Sequence, residues 1–295
     1  MSYIMKCRIC PHECKVNRKQ GEKGFCKAGE NVVIANASIH RWEEPCISGN
    51  NGSGTVFFTG CNLRCVFCQN YTISQEGYGK PITVEKLAKT FIKLQGKGVH
   101  NINLVTPTIY APQIIEALNM AKEEGLNIPV IWNSNAYESV EMVKNLSELV
   151  DVFLPDLKYF DDNIAKRYSK VKNYFSIASK AILQMYSQVG NPIFNKKGII
   201  QRGLIIRHLV LPGQKEDSKK ILSWISENLP KDIYISIMSQ YIPYYRASEY
   251  PEINRKLYQR EYEDVVEHFF KIGLENGFIQ DESAASDEFI PKFKE

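Results

Sequence analysis

The chain is 295 residues long, 44% apolar and 24% charged, enough to bury one sizeable core with a small appendage and too apolar for an intrinsically disordered chain. Its 37 basic and 33 acidic side chains leave a formal charge of +4, scattered in both signs with no basic run interleaved with aromatics, so nucleic acid is not indicated as a partner. The first residues, Met1-Ser2-Tyr3-Ile4-Met5-Lys6, form no apolar export core, and nowhere do 18 apolar residues run together; a cytoplasmic protein with no membrane partner is expected.

From the N-terminus, the first feature is Cys7-x2-Cys10-Pro11-His12-Glu13-Cys14 together with Cys26, in a Lys/Arg/Gly-rich stretch of little periodicity. Such a stretch buries little apolar surface by itself, so a metal crosslink through Cys7, Cys10, Cys14 and Cys26 is a reason for it to fold. Four thiolates suit a tetrahedral zinc site or a second iron–sulfur cluster, and the spacing admits both. Free thiols in a flexible leader are the alternative. His12 reads as a solvated loop histidine, and Cys46, without a partner by spacing, as a small buried residue. The expected division is a cysteine-rich metal-binding extension over 1–46, a main domain over 47–280 and a tail over 281–295.

An apolar run at 55–59 reads as a strand and leads straight into Gly60-Cys61-Asn62-Leu63-Arg64-Cys65-Val66-Phe67-Cys68-Gln69-Asn70. A four-iron cluster normally takes four thiolates, so three close cysteines with no fourth nearby point to a cluster with one iron left open for chemistry. A zinc knuckle or a redox pair would need the paired C-x2-C halves and the fourth ligand that this run lacks.

Beyond the cysteines, short apolar runs alternate with amphipathic stretches, the pattern of repeated βα units on a parallel sheet. Further strands are expected at 102–105, 130–132, 152–154, 204–211 and 233–237. Helices are expected at 83–94, where Leu87, Phe91 and Leu94 share a face, and at 112–124, 218–229 and 254–276, with Gly98, Gly125 and Gly190 near helix ends. Six such units make an α/β fold of the partial (β/α)6 barrel type.

Functional groups of barrels gather where strands end, and nearly every predicted strand ends in polar residues. These are Cys61, Thr106-Pro107-Thr108, Asn133-Ser134-Asn135, Asp156-Leu157-Lys158, Arg207 with His208, and Ser239-Gln240-Tyr241. One such residue alone is an ordinary helix cap; their recurrence at one rim beside the cysteines points to a site. A buried Asp156–Lys158 ion pair without a ligand role is the alternative there. His208 alternates with Arg207, so an inward Arg207 turns His208 toward the helix layer as a structural residue.

The C-x3-C-x2-C spacing with an aromatic before the last cysteine resembles the signature of radical S-adenosylmethionine (radical SAM) enzymes. Roughly residues 40–280 look like the branch related to pyruvate formate-lyase-activating enzymes, most clearly in Glu44-Pro45, Gly52-Ser53-Gly54, Cys61 to Asn70, Asn133-Ser134-Asn135, Asp156-Leu157-Lys158 and Arg207. The resemblance implies that Cys61, Cys65 and Cys68 hold a catalytic [4Fe-4S] cluster whose open iron takes S-adenosylmethionine. It also implies a 5′-deoxyadenosyl radical that abstracts hydrogen from a substrate, by resemblance a glycine of a glycyl radical enzyme, with a small molecule or peptide as the other substrate class. A low-potential electron donor such as flavodoxin or ferredoxin is implied as a partner.

Carried over residue by residue, Asp156, Lys158 and Arg207 contact the methionine part of the cofactor or a cation, Asn133 and Ser134 its carboxylate or ribose, and Asn70 lies near the cluster. Where that branch usually has Gly-Gly-Glu-Pro, this chain has Leu104-Val105-Thr106-Pro107, and some members carry Asp at the position of Asn133. A reading of a different class is an iron–sulfur electron-transfer or zinc-binding scaffold without turnover, which expects a fully ligated metal.

Overall fold

The computed structural model describes residues 2–280 and residue 293. Its ten strands are β1 (Val32–His40), β2 (Ser53–Phe58), β3 (Lys80–Ile82), β4 (Ile102–Val105), β5 (Val130–Ser134), β6 (Val152–Pro155), β7 (Ile193–Phe194), β8 (Ile200–Leu209), β9 (Tyr234–Met238) and β10 (Gly277–Ile279). The order across the sheet is β10-β9-β8-β6-β5-β4-β2-β1-β3, with β7 paired antiparallel to the start of β8. From β2 to β10 along that path every pairing is parallel, while β1 and β3 add an antiparallel edge. The sheet ends at β3 and β10 and does not close, so the six expected βα units form a partial barrel.

β2, β5 and β6 are buried along their whole length, as parallel strands covered on both faces must be. The helices that cover them follow the expected apolar spacing. In Val84–Gln95 the Thr83 side chain accepts from Lys86 N at the N-terminus, while Leu87, Ala88, Phe91 and Leu94 bury one stripe. Burial of a side chain such as Phe91 contributes about 2–3 kcal/mol, so the stripe outweighs the propensity of the helix itself. Gly190 caps Tyr174–Val189 with φ 68°, a left-handed value that a side chain rarely adopts.

Three departures from the sequence expectation bear on the site. The last helix runs over Gln259–Lys271 rather than 254–276: Glu261 accepts from Tyr258 N (3.0 Å) and fixes its start, and Gly273, φ 79°, ends it. The chain then re-enters the sheet as β10 instead of continuing as helix. Second, β1 lies before the boundary expected at residue 46 yet is hydrogen-bonded to β2 beyond it, and Cys7, Ile9, Cys26 and Ala28 pack into the main core. Third, two helices fill the chain between β6 and β8: Asp162–Ser169, unforeseen, and Tyr174–Val189, of which only the end at Gly190 was expected. The expected tail at 281–295 lies outside the described residues apart from Phe293, whose ring meets Phe57 edge-on at 5.3 Å. Among the described residues no helix is long and apolar enough to cross a membrane.

Candidate active site

The C-terminal ends of the parallel strands surround a cavity of about 350 Å³, within the range of small-molecule sites. Cys61, Cys65, Cys68, Asn70, Asn133, Ser134, Asp156, Lys158 and Arg207 all line it, so one cavity brings together every residue expected there. Cys7, Cys10, Cys14 and Cys26 are not among its walls.

The cysteine loop begins at Gly60, whose φ of 92° turns the chain out of β2; a Cβ there would stand 2.9 Å from Ile109 and 3.1 Å from Cys26 O. Backbone bonds then fix the loop to the unforeseen helix: Arg64 N donates to Ser169 O (3.0 Å) and Val66 N to Tyr168 O (2.9 Å). Each sulfur has a polar neighbour. Asn135 Nδ2 donates toward Cys61 Sγ (3.4 Å), Ser169 Oγ stands 3.0 Å from Cys65 Sγ, and Ser74 Oγ 3.2 Å from Cys68 Sγ. Burial pushes the thiols up, Cys61 to about 12 and Cys68 to about 11, with Cys65 raised as well, so all three are neutral until a metal takes their protons.

Opposite the sulfurs lies a buried ionic network. Arg207 Nε donates to Asp156 Oδ1 (2.8 Å), Nη1 to Glu43 Oε2 (3.1 Å) and Nη2 to Asn133 Oδ1 (2.7 Å), with Glu44 Oε2 3.9 Å from Nη1. Lys158 Nζ donates to Asp156 Oδ2 at 2.8 Å. Burial pushes Asp156 up, but Arg207 and Lys158 together outweigh it and hold its carboxyl below the usual range. Burial dominates at Glu43 and Glu44 and raises both. Three of the five N–H groups of Arg207 are thus already engaged, and a ligand carboxylate would have to compete with Asp156 for this guanidinium. His208 turns to the other face as expected: its Nδ1 donates to Leu157 O (2.7 Å), its Nε2 is 2.8 Å from Ser218 Oγ, and burial lowers it to about 4.

The family model described as the Radical SAM superfamily matches residues 55–225, from β2 and the cysteine loop through the Asp156 and Arg207 strands. The chain belongs to this superfamily. "Uncharacterized protein MJ0674" of Methanocaldococcus jannaschii is 37% identical over 279 residues, covering 91% of this chain and 75% of that protein. The pyruvate formate-lyase-activating enzyme of Clostridium pasteurianum is 26% identical over 225 residues, 73% of this chain and 86% of that one. Streptococcus suis SuiB bound to S-adenosylmethionine superposes with a TM-score of 0.51 at 18% identity, over 75% of this chain and 48% of that chain. The chain spans about half the length of SuiB, and at this identity the likeness is one of fold.

Radical SAM membership implies a [4Fe-4S] cluster and S-adenosylmethionine, and the walls of the cavity fit that pair. Among the described residues no three His, Cys, Asp or Glu side chains stand together as ligands of one ion. Two buried oxygens, Asn70 Oδ1 and Glu44 Oε2, have no hydrogen-bond donor among the described residues, although their side chains line the cavity. Such acceptors suit a ligand carrying N–H and O–H groups.

Several residues that hold the site escaped sequence reasoning. Glu138, fully buried, receives Thr108 Oγ1 (2.9 Å), Trp132 Nε1 (2.9 Å) and Ser134 Oγ (2.7 Å), so a single carboxylate fixes the end of β5. Tyr174 accepts from Lys158 N (2.9 Å), and its hydroxyl lies 3.0 Å from Asn135 O and 2.8 Å from Asp156 O, joining the ends of β5 and β6. Asn62 Nδ2 donates to Tyr137 O (2.6 Å) and its Oδ1 accepts from Asn135 (2.8 Å), which ties the cysteine loop to the same rim. Thr106 has φ 58°, an unusual value for a β-branched residue, at the position where related enzymes place glycine-rich sequence. Of these, Asn62 and Asn135 lay in stretches read as motif and Thr106 at a polar strand end; Glu138 and Tyr174 carry no signal in the sequence.

Proposed function

We propose that the protein is a radical SAM enzyme in which Cys61, Cys65 and Cys68 hold a [4Fe-4S] cluster and the adjoining cavity binds S-adenosylmethionine for hydrogen abstraction from a protein or peptide substrate. The observation that carries this reading is the opening of the three thiols and the Asp156–Lys158–Arg207 network into one cavity. When bound, the cluster and cofactor supply a 5′-deoxyadenosyl radical. The chain's own residues bind and orient. Lys158 offers an ammonium beside Cys65, and Arg207 holds Asp156 and Asn133 at fixed angles. Asn133, Ser134 and Asn70 present amide and hydroxyl groups that discriminate a polar ligand, and Phe57, Phe67, Ile73 and Val105 supply apolar wall that limits water.

The substrate class follows from likeness rather than geometry. Activating enzymes acting on pyruvate formate-lyase are relatives of this chain, which favours a glycine in a partner protein, and a flavodoxin or ferredoxin would deliver the electron. The test is anaerobic reconstitution with iron and sulfide, reduction, addition of S-adenosylmethionine and chromatography for 5′-deoxyadenosine. Wild type is expected to form it and Cys65→Ala to form none. A fully loaded wild-type cluster that forms none would sink the enzyme reading in favour of electron transfer or a scaffold.

A further inference from the structure

We propose that Ser169 and Tyr159 are positioning residues for the cluster: a hydrogen-bond relay, from Tyr159 to Ser169 to Cys65, that holds the Cys65 thiolate and sets how readily the cluster takes its electron.

The relay lies behind the cysteine loop. Tyr159 and Ser169 are both fully buried, and neither is among the cavity walls. Ser169 Oγ stands 3.0 Å from Cys65 Sγ, and the Tyr159 hydroxyl 2.7 Å from Ser169 Oγ. Both groups are held in place. Ser169 ends the helix Asp162–Ser169, and its backbone carbonyl accepts from Arg64 N at 3.0 Å, which clamps it to the loop a second time. The Tyr159 ring meets Tyr174 edge-on at 5.3 Å, and Tyr174 is itself bonded to the ends of β5 and β6.

Valence fixes the direction of the relay. A metal-bound thiolate can only accept, so the Ser169 hydroxyl, with its single proton, has to donate to Cys65. Its oxygen is then free to accept from Tyr159, whose hydroxyl has no other hydrogen-bond partner among the described residues. Both bonds therefore point at the sulfur, and away from water each polarises the next.

The other two sulfurs are served differently. Ser74 and Asn135, beside Cys68 and Cys61, line the cavity themselves, so replacing them would disturb the cofactor together with the cluster. The donor to Cys65 stands outside those walls and is backed by a second buried donor, which lets its effect on the cluster be read alone. Reduction adds negative charge that the sulfurs share, so a hydrogen bond to sulfur favours the reduced state. Loss of a charge-assisted bond of this kind should shift the reduction equilibrium by about tenfold, about 59 mV for one electron.

The relay presupposes the cluster proposed above at Cys61, Cys65 and Cys68. Its test is a redox titration of the anaerobically reconstituted protein with dithionite and mediator dyes, in wild type, Ser169→Ala, Tyr159→Phe and the double variant. Iron and sulfide are counted in each, and the reduced-cluster electron paramagnetic resonance signal is read after subtraction of that of Cys61→Ala/Cys65→Ala/Cys68→Ala. Ser169→Ala should load iron and bind S-adenosylmethionine as wild type does, yet be about tenfold harder to reduce. Tyr159→Phe keeps the serine bond and removes only its polarising donor, so it should shift the same way by about twofold. The double variant should match Ser169→Ala alone, because the tyrosine acts through the serine. Should Ser169→Ala fail to fold, Tyr159→Phe, which removes a single oxygen, decides. Unchanged potentials in the loaded variants, shifts that add in the double variant, or a shift accompanied by weaker S-adenosylmethionine binding would each overturn the relay. A wild type that loads no iron and sulfide would overturn the proposed function as well, and the iron count tells the two failures apart.

Discussion

Replacing Arg207 with methionine should lower the unfolding free energy by about 3–5 kcal/mol, the usual cost of removing one partner from a buried ionic group. Its side chain is 14% exposed and faces Asp156, Glu43 and Glu44, so the variant takes the shared guanidinium from three carboxylates, of which Asp156 keeps Lys158. The loss depends on pH in a definite sense. Burial already raises Glu43 and Glu44 against the pull of Arg207, and without that pull both rise further. A carboxyl raised in the folded state contributes stability that is full below the unfolded carboxylate range and is lost as pH rises through the folded value. The deficit of Arg207→Met should thus be small in mild acid and grow toward neutrality, and Glu43→Gln in the same chain should recover part of it. Anaerobic urea unfolding at several pH values measures this; a pH-independent deficit below about 1 kcal/mol would mean that the network is solvated and contributes as surface pairs do.

Replacing Glu138 with leucine should cost about 3 kcal/mol, although it removes a buried carboxyl that burial itself disfavours. The variant fills the space but leaves Trp132 Nε1, Thr108 Oγ1 and Ser134 Oγ without their acceptor, and each orphaned buried donor costs about 1–3 kcal/mol. The hydroxyls can turn to other acceptors, whereas the indole N–H is fixed by the packing of Trp132. Glu138→Gln keeps an acceptor of similar shape and should lose less than half as much. The two variants should also separate in cofactor affinity, since Ser134 and its neighbours lose their anchor in leucine and keep it in glutamine. Equal stability of Glu138→Leu and wild type in chemical denaturation would mean that the carboxylate does not organise the end of β5.

Much of this could be read from the sequence because it rests on short-range pattern. The six parallel strands follow from apolar runs, the cysteine loop from its spacing, and the inward Arg207 with outward His208 from strand alternation. What escaped depends on contacts between distant residues. β1 carries an apolar run, Val32-Val33-Ile34-Ala35, but its place at the sheet edge is set by pairing with β2, which local periodicity cannot show. Glu43 reads as a loop acid until Arg207, 164 positions away, is brought to it by the strand order. Glu138 and Tyr174 look like ordinary polar surface residues, and burial alone turns them into the supports of the site. The helix expected at 254–276 failed for the opposite reason: its apolar stripe is genuine, but Tyr258 with Glu261 and then Gly273 cut it to Gln259–Lys271.

In the proposed enzyme the three-cysteine cluster and S-adenosylmethionine share one cavity, with an iron open to the cofactor. The most direct test is the electron paramagnetic resonance spectrum of the reduced, reconstituted wild-type protein before and after S-adenosylmethionine is added, with the spectrum of Cys61→Ala/Cys65→Ala/Cys68→Ala subtracted. A reduced-cluster signal whose shape and g-values change on addition is expected, and no such signal once Cys65→Ala is introduced. A fully reduced cluster whose spectrum is indifferent to saturating S-adenosylmethionine would contradict it.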